Sequence, residues 1–599
     1  MSATTLLRIG NCSGFYGDRL SAMREMLEGG ELDVLTGDYL AELTMLILGR
    51  DRMRDASLGY ARTFLTQAED CLGLALERGV RLVANAGGLN PAGLAERLGE
   101  VASGLGLAPA ISYVDGDDLL DRVDELGLGG PGGKPLTANA YLGGFGIAAA
   151  LSAGADVVVT GRVTDASLVV GPAAAHFGWP RTAYDEIAGA MVAGHVIECG
   201  AQACGGNFSG FTSLPHDATP LGFPIAEIAA DGSSVITKHP GTGGAVGVDT
   251  VTAQLVYEVQ DQTYVGPDAA ARLDTIRLAA EGADRVRISG VRGGPPPDTL
   301  KVCLNELGGY RNDAELVLTG LDIDEKAAWV RAQAEAAWPG HRPASVQWTL
   351  ARTDHEDADS EEAASARLRV TVRDPSPDPV GRAFTAPLVE LALASYPGFT
   401  LTSPPGKARP YGVYRAAYVD RSAVAEVVTR VEGAPAGLSP DRGAAEQARS
   451  FLARPPDPAT TAARPGRPSG ASAPGSATTA QTPGTPGPSR RVPLGAVAHA
   501  RSGDKGGDAN VGVWARDQRD DRAGWLTSFL TAERVRALMP EADGLDVEVH
   551  ALPNLRGLNV VIHGLLGEGV AASTRFDPQA KGLGEWLRSR HVDVPEALL

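Results

Sequence analysis

The residues best equipped for chemistry crowd into one stretch, His195-Val196-Ile197-Glu198-Cys199-Gly200-Ala201-Gln202-Ala203-Cys204-Gly205-Gly206-Asn207. Helical periodicity runs into it from about residue 185, and the paired glycines end any regular element. Three chemistries fit these residue types. His195 and Glu198 lie three apart and share a helix face, so with Cys199 and Cys204 they could offer metal donors. The four-residue gap between the thiols is loose for structural zinc, and no metal is predicted. Cys199 could attack a carbonyl with His195 or His239 as base, while N–H groups of Gly205 and Gly206 hold the oxyanion. A helix C-terminus raises a thiol pKa, so that route needs a cationic neighbour. Glu198 and Asp165, with His239 or Arg162, could instead move a proton beside a carbonyl. The structural alternative is a helix end and a tight turn, with the thiols as small core residues.

Five short apolar runs, at residues 6–11, 32–35, 79–84, 110–114 and 155–159, alternate with helical segments. Runs apolar on both faces and separated by helices predict an α/β fold with a mostly parallel sheet. Each run exits into Gly, Asn, Asp or Thr, and ligands gather at the carboxyl ends of such strands. That placement makes Asn85, Gly87, Gly88 and Arg162 candidates for substrate or anion binding, with Gly205, Gly206 and Asn207 beside them. A hairpin signature at Asp231-Gly232 precedes Lys238-His239-Pro240-Gly241-Thr242-Gly243-Gly244 and a helical run. Free N–H groups at such a helix start suit phosphate or carboxylate, so Lys238, Gly241, Thr242, Gly243 and Gly244 join the anion-binding set. The spacing matches neither the dinucleotide fingerprint nor the phosphate-loop motif, and no cofactor is predicted.

The chain has 599 residues, too many for one core, and a net charge of −19. No basic field exists to gather phosphates of a nucleic acid, which excludes a nucleic-acid scaffold. The 43% hydrophobic and 21% charged fractions are those of a globular protein. No apolar run is long enough to span a membrane. Five scattered cysteines argue against a disulfide framework, and the first residues lack a signal-peptide core, so a reducing cytoplasm is expected. The Gly-, Pro-, Ala- and Arg-rich composition suits a high-GC bacterial genome.

Residues 1–454 read as one large region, a parallel α/β core over 1–280 with an α+β subdomain over 281–454. Within the latter, separate strands are expected at 300–304 and 314–318. Residues 455–490 are nearly all Pro, Ala, Gly, Ser, Thr and Arg, the composition of a disordered linker. Residues 491–599 follow β, β, α, β, β, α, which suits a small ferredoxin-like α+β domain. Its first strand is expected at 492–498. The polar segment after that strand, expected as a loop, holds Arg501, Ser502, Asp504, Lys505 and Asn510 and reads as a ligand loop or interdomain contact.

The segments from His195 to Gln202 and Gly205 to Asn207, with Lys238 to Gly244, resemble the acyclic terpene utilisation family AtuA. The run Ala500-Arg501-Ser502-Gly503-Asp504-Lys505-Gly506 resembles the small C-terminal domain that accompanies it. The segments around Asn85-Ala86-Gly87-Gly88, Thr160-Gly161-Arg162 and Gly308-Gly309-Tyr310-Arg311 fit as well, so the likeness covers nearly everything but the linker. The resemblance implies a role in using citronellol- or geraniol-type terpenes, whose breakdown passes through branched acyl-CoA thioesters. The expected ligand is then an acyl-CoA or terpenoid acid, with the CoA moiety as part of the substrate. Glu198, His239, Asp165 and Cys199 are the residues expected to do the chemistry, as lyase, hydratase or isomerase. The alternative is a non-catalytic accessory subunit beside an acyl-CoA carboxylase or hydratase, and a homo-oligomer is a further expected form.

Overall fold

A computed structural model describes residues 6–130, 133–215, 219–338, 340, 342–431 and 488–599. The five apolar runs are strands, Leu7–Asn11, Val34–Gly37, Arg81–Ala84, Val157–Thr160 and Ile111–Asp115, side by side in that order. All four pairings among them are parallel. Antiparallel strands extend this sheet on both sides. Pro224–Ile228, Ser234–Lys238, Val286–Ser289 and Arg277–Ala280 continue beyond Leu7–Asn11, and Val427–Arg430 closes the other edge.

Helices cover both faces, which is why the parallel strands carry no alternation. Phe145–Ser152, Ser167–Phe177 and Tyr184–Ile197 bury Phe145, Val170, Ile187 and Val196 on one face. Ala22–Gly29, Arg62–Glu77 and Pro91–Gly104 bury Met26, Phe64, Leu72 and Leu94 on the other. Local chemistry agrees: the Asn90 side chain accepts from the Gly93 N–H, and Pro91 opens the helix it caps.

A second sheet is built on one long strand, Thr299–Thr319, where two separate strands were expected. The glycines there accommodate a bulge between Leu307 and Gly309, so the strand bends without ending. Gly309 has φ 119°, and a Cβ on it would lie 2.6 Å from the Asp374 carbonyl. Ser365–Asp374 and Arg409–Asp420 flank this strand, and Thr137–Ala140 pairs with its first half. The first sheet in turn takes strands from residues 277–289 and 427–430, so the strands interleave across residue 280.

The expected linker falls on residues 455–487, outside the described residues, but Ser489 and Arg490 already belong to a strand. Ser489–Pro493 pairs with His591–Pro595. The small domain carries a four-stranded antiparallel sheet, Ala498–Lys505, Asp508–Ala515, Gly557–Ile562 and Val547–Leu552 in that order. The strand expected at 492–498 and the polar loop after it are therefore corrected. Ala498–Lys505 and Asp508–Ala515 form a hairpin that turns through Gly506, at φ 67°, and Gly507. Alternation along these strands divides the polar side chains between two faces, which a loop would not do.

This hairpin lies flush on residues 256–259. A Cβ on Gly512 would sit 2.2 Å from Val256, and one on Gly503 would sit 2.4 Å from the Tyr257 ring. Asn510 accepts the Glu258 N–H at 2.8 Å and donates to the Val256 carbonyl at 3.1 Å. Asn559 donates to the Val259 carbonyl at 2.9 Å. No helix among the described residues is long and apolar enough to cross a membrane.

Gly512→Ala should force these two surfaces apart at a cost of about 1–3 kcal/mol, the usual penalty of overpacking. The expected result is a lower melting temperature and faster amide exchange at residues 256–259. Unchanged exchange there would show that the close approach does not hold the domains together.

Candidate functional site

The floor of the site lies at the carboxyl ends of three neighbouring parallel strands, which deliver Asp38, Asn85, Arg162 and Asp165. Asn85 is fully buried; its Oδ1 accepts the Tyr39 N–H at 2.7 Å and its Nδ2 donates to Asp38 Oδ1 at 2.6 Å. It therefore aims a carboxylate and joins the second and third strand exits. Arg162 is 2% exposed. Its backbone N–H donates to Asp117 Oδ2 at 2.8 Å, and its Nη1 to Asp165 Oδ1 at 3.0 Å and the Leu40 carbonyl at 3.1 Å. The guanidinium lies 4.4 Å over the Tyr141 ring, whose hydroxyl donates to Glu42. Burial raises Asp38 well above the carboxylate range and raises Asp165 as well, and Arg162 only partly opposes this.

Helix Tyr184–Ile197 supplies the wall. Its end is seized by Asn11, whose Nδ2 donates to the carbonyls of Ile197 at 2.6 Å and Glu198 at 2.9 Å. His195 Nδ1 and Glu198 Oε1 are hydrogen-bonded at 3.1 Å, and the His195 ring packs 4.6 Å from that of Tyr264. Glu198 Oε2 and His195 Nε2 are both buried without a hydrogen-bond partner. Burial raises Glu198 well above the carboxylate range, and nearby Asp165 and Glu258 push it further. Burial, then the Lys505 charge, lowers His195 to about 4. The pair thus holds a neutral imidazole against a carboxyl that resists ionising.

The roof comes from two directions. Glu258 has φ 56°, a left-handed conformation that costs a non-glycine residue, and Asn510 pins its N–H there. The small domain inserts Asp504 and Lys505 from its hairpin turn. Lys505 stays protonated against the cost of burial, because Glu258, Glu42, Asp165 and Glu198 all surround it. Lys581 lies 3.5 Å from Glu258 and 3.9 Å from Asp504. Burial works against the Glu42 charge, yet Lys301, Arg162 and Lys505 together hold that acid at about 2. Burial lifts Asp504 to about 7, with Glu258 adding to it. The cleft opens between the domains past Glu42, Leu43, Leu46, Tyr414, Val570 and Gln579.

The structure brings Glu198, Asp165, Arg162, Asn85, Asp504 and Lys505 together and sends other expected residues elsewhere. His239 Nε2 donates to the Met26 carbonyl, 3.0 Å away, and the ring packs on Gly29 and Gly30. It stands on the sheet face opposite helix Tyr184–Ile197 and cannot serve Glu198. Lys238 is spent on the Thr242 carbonyl at 2.8 Å and on Asp284 at 3.2 Å. In the loop from Gly241 to Gly244, the Gly243 N–H donates to the Pro220 carbonyl, and the Thr242 hydroxyl to that of His239. Gly241 and Gly244 take left-handed turns, and Gly244 presses against the Cys204 carbonyl. This loop braces the end of the 195–207 segment, and the Gly243 N–H is engaged there.

Gly87 and Gly88 are likewise packing residues, since a Cβ would lie 2.5 Å from the Thr160 carbonyl or 2.4 Å from Leu48. Gly205, at φ 109°, and Gly206 shape the turn after the short helix Gly200–Cys204. The Gly205 N–H donates to the Gln202 carbonyl and that of Gly206 to the Ala201 carbonyl, so neither N–H is left for an oxyanion. The Asn207 carbonyl accepts from Arg501 Nη1 at 3.0 Å, and Arg501 also reaches Gln202 and covers the Tyr257 ring. Ser502 accepts the Gly584 N–H at 2.8 Å inside the small domain, and Asn510 serves the docking surface. Burial, then Glu198 and Glu258, raises the Cys199 thiol, which disfavours the thiolate that the nucleophile route needs. Cys204 is buried toward Lys238, and the donors of His195, Glu198, Cys199 and Cys204 do not converge as metal ligands.

Sequence reasoning missed Asp38, Glu42, Glu258, Lys301, Lys581, Tyr257 and Tyr264 as site residues. Asp38 carried a signal, since it follows the second strand as Asn85 follows the third. Glu258 carried none, because only docking of the small domain makes it internal.

A carboxyl whose folded pKa is raised stabilises the fold fully below about pH 4, and that contribution is lost as pH climbs through the raised value. Glu198→Gln keeps the shape and removes the titration. The variant should equal or exceed the native chain in melting temperature above neutral pH, with the advantage shrinking toward pH 4. A variant less stable at high pH than at low pH by the native margin would mean that Glu198 is ionised in the fold.

Two family models match the chain. The acyclic terpene utilisation family protein AtuA model covers residues 7–430, and the AtuA ferredoxin-like domain model covers residues 492–593. No curated protein and no solved structure matches. The first match spans well over half the chain and contains the floor and wall of the site, and the second contains Asp504, Lys505 and Lys581, so the chain belongs to the acyclic terpene utilisation family AtuA.

Proposed function

We propose that this chain acts in acyclic terpene utilisation by moving a proton on a branched acyl-CoA thioester. The observation that carries this reading is the buried His195–Glu198 pair, whose outer atoms, Nε2 and Oε2, have no hydrogen-bond partner of good geometry, although the Gln254 backbone lies beside the imidazole. Buried polar atoms are nearly always satisfied, so two unsatisfied atoms on adjacent groups favour a substrate as the missing partner. The pair would take a proton from the carbon beside the thioester carbonyl. The electron pair of the broken C–H bond would then pass to the carbonyl oxygen as an enolate. Lys505, charged and central among the acids, suits that oxygen, because a cation already in place stabilises developing charge without reorganisation. Return of the proton to another carbon completes an isomerisation, and loss of a β-hydroxyl as water completes a dehydration, the reverse of hydration. His195 takes the place that sequence reasoning had offered to His239.

Melting of the full chain against branched terpenoyl-CoA thioesters, free terpenoid acids and bare CoA, with product analysis of each hit, tests the reading. A thioester that stabilises the chain and is converted is the expected result. Glu198→Gln and His195→Gln should then retain the melting shift while lowering kcat about 10²–10⁴-fold. Stabilisation without turnover would assign the chain to the accessory-subunit alternative. No shift with any thioester would remove the acyl-CoA reading.

A further inference from the structure

Three arginines stand in one cross-strand row of the second sheet, on the face away from its apolar core. Arg311 is directly opposite Arg373 on one neighbouring strand and opposite Arg409 on the other. Arg369, four residues before Arg373, lies on the same face. Like charges directly opposite one another destabilise a sheet, so such a row calls for a compensating partner. The structure compensates it only in part. Arg409 pairs with Asp313 at 2.7 Å and Arg373 with Glu568 at 3.2 Å. Arg311 and Arg369 have no salt bridge among the described residues. Burial lowers the Arg311 pKa, and the charges of Arg409, Arg373 and Arg369 hold it down. Arg311 Nε and Arg373 Nε are buried without a hydrogen-bond partner.

The remaining donors reach one loop of the small domain. Arg311 Nη1 donates to the Ser573 carbonyl at 3.2 Å, Arg373 Nη1 to the Ala572 carbonyl at 3.3 Å, and Arg369 Nη2 to the Thr574 carbonyl at 2.6 Å. The preceding residues of that loop, Gly569, Val570 and Ala571, line the mouth of the cleft that leads to Glu42 and Asp504. The excess positive charge therefore borders the entrance to an acidic site, in a chain whose net charge is −19. A cationic rim before an acidic interior suits a ligand with an anionic tail and an uncharged reacting end.

We propose that the Arg409–Arg311–Arg373 row, with Arg369, is a phosphate-binding subsite for the nucleotide end of the thioester substrate. This rests on the acyl-CoA reading above. Planar guanidiniums bind phosphate through paired N–H donors, and adjacent phosphates remove the repulsion along the row.

Calorimetric titration of the full chain with adenosine 3′,5′-bisphosphate, inorganic phosphate, a branched acyl-CoA and the matching acyl-pantetheine tests the subsite. The expected result is salt-sensitive bisphosphate binding, with acyl-CoA bound more tightly than acyl-pantetheine. Arg373→Gln and Arg409→Gln should each weaken bisphosphate and acyl-CoA by roughly tenfold or more, the worth of one charged hydrogen bond, and leave acyl-pantetheine unchanged. Arg409 is exposed and, among the described residues, pairs only with Asp313, so its variant keeps the fold even if Arg373→Gln loosens the loop. Equal affinity for acyl-CoA and acyl-pantetheine would overturn the subsite and leave the proton-transfer reading standing. Bisphosphate binding with no binding of acyl-pantetheine would do the reverse. Inorganic phosphate binding as tightly as the bisphosphate would assign the row to a free anion and overturn the nucleotide assignment.

Discussion

Lys505 is the charge on which the site depends. Glu42, Asp165, Glu198 and Glu258 gather around Lys505 in a part-buried region, where like charges oppose one another's ionisation. One ammonium among them lowers that cost without pairing off with a single acid. It leaves Glu42 ionised near the mouth, while Glu198, deeper and beside His195, stays biased toward its neutral form. The resulting spread in acidity among neighbouring groups is what acid–base chemistry at neutral pH requires.

Because that lysine belongs to the small domain, the site exists only when the domains are docked. The docking surface is built for close approach: Gly503 and Gly512 admit Tyr257 and Val256, and Asn510 and Asn559 satisfy the backbone between them. The same contact includes Glu258 in its left-handed conformation, with its N–H on Asn510 and its carboxylate beside Lys581. Domain assembly and site assembly are therefore one event.

The second sheet has a parallel role at the entrance. Its outward face presents arginines to the loop that frames the mouth, so this sheet also depends on the small domain for partners. Both inserted segments of the small domain, the hairpin turn at Lys505 and the loop after Gly567, approach the same cleft. A chain-wide acidic charge and a local basic rim are compatible because the fold sorts charges by location.

The parallel strands were legible in the sequence because burial on both faces leaves an unbroken apolar run, and their polar exits identified Asn85, Arg162 and Asp165. Glu198 and its helix were legible because a helix end followed by paired glycines is a local pattern. What local pattern could not supply was direction. His239 and His195 are equally plausible bases in sequence, yet the sheet places them on opposite faces. Gly87, Gly243 and Gly244 look like ligand-loop residues because close approach to a backbone and to an anion both exclude a Cβ, and here the approach is to backbone. The loop expected around Arg501 is a hairpin, since turns of two glycines and short polar strands carry little periodicity. Glu258 and the arginine row become meaningful only when residues far apart in the chain meet. The sequence by itself determined which strands form and where they end; tertiary structure decided which polar groups face one another, because that depends on packing between elements and not on any one of them.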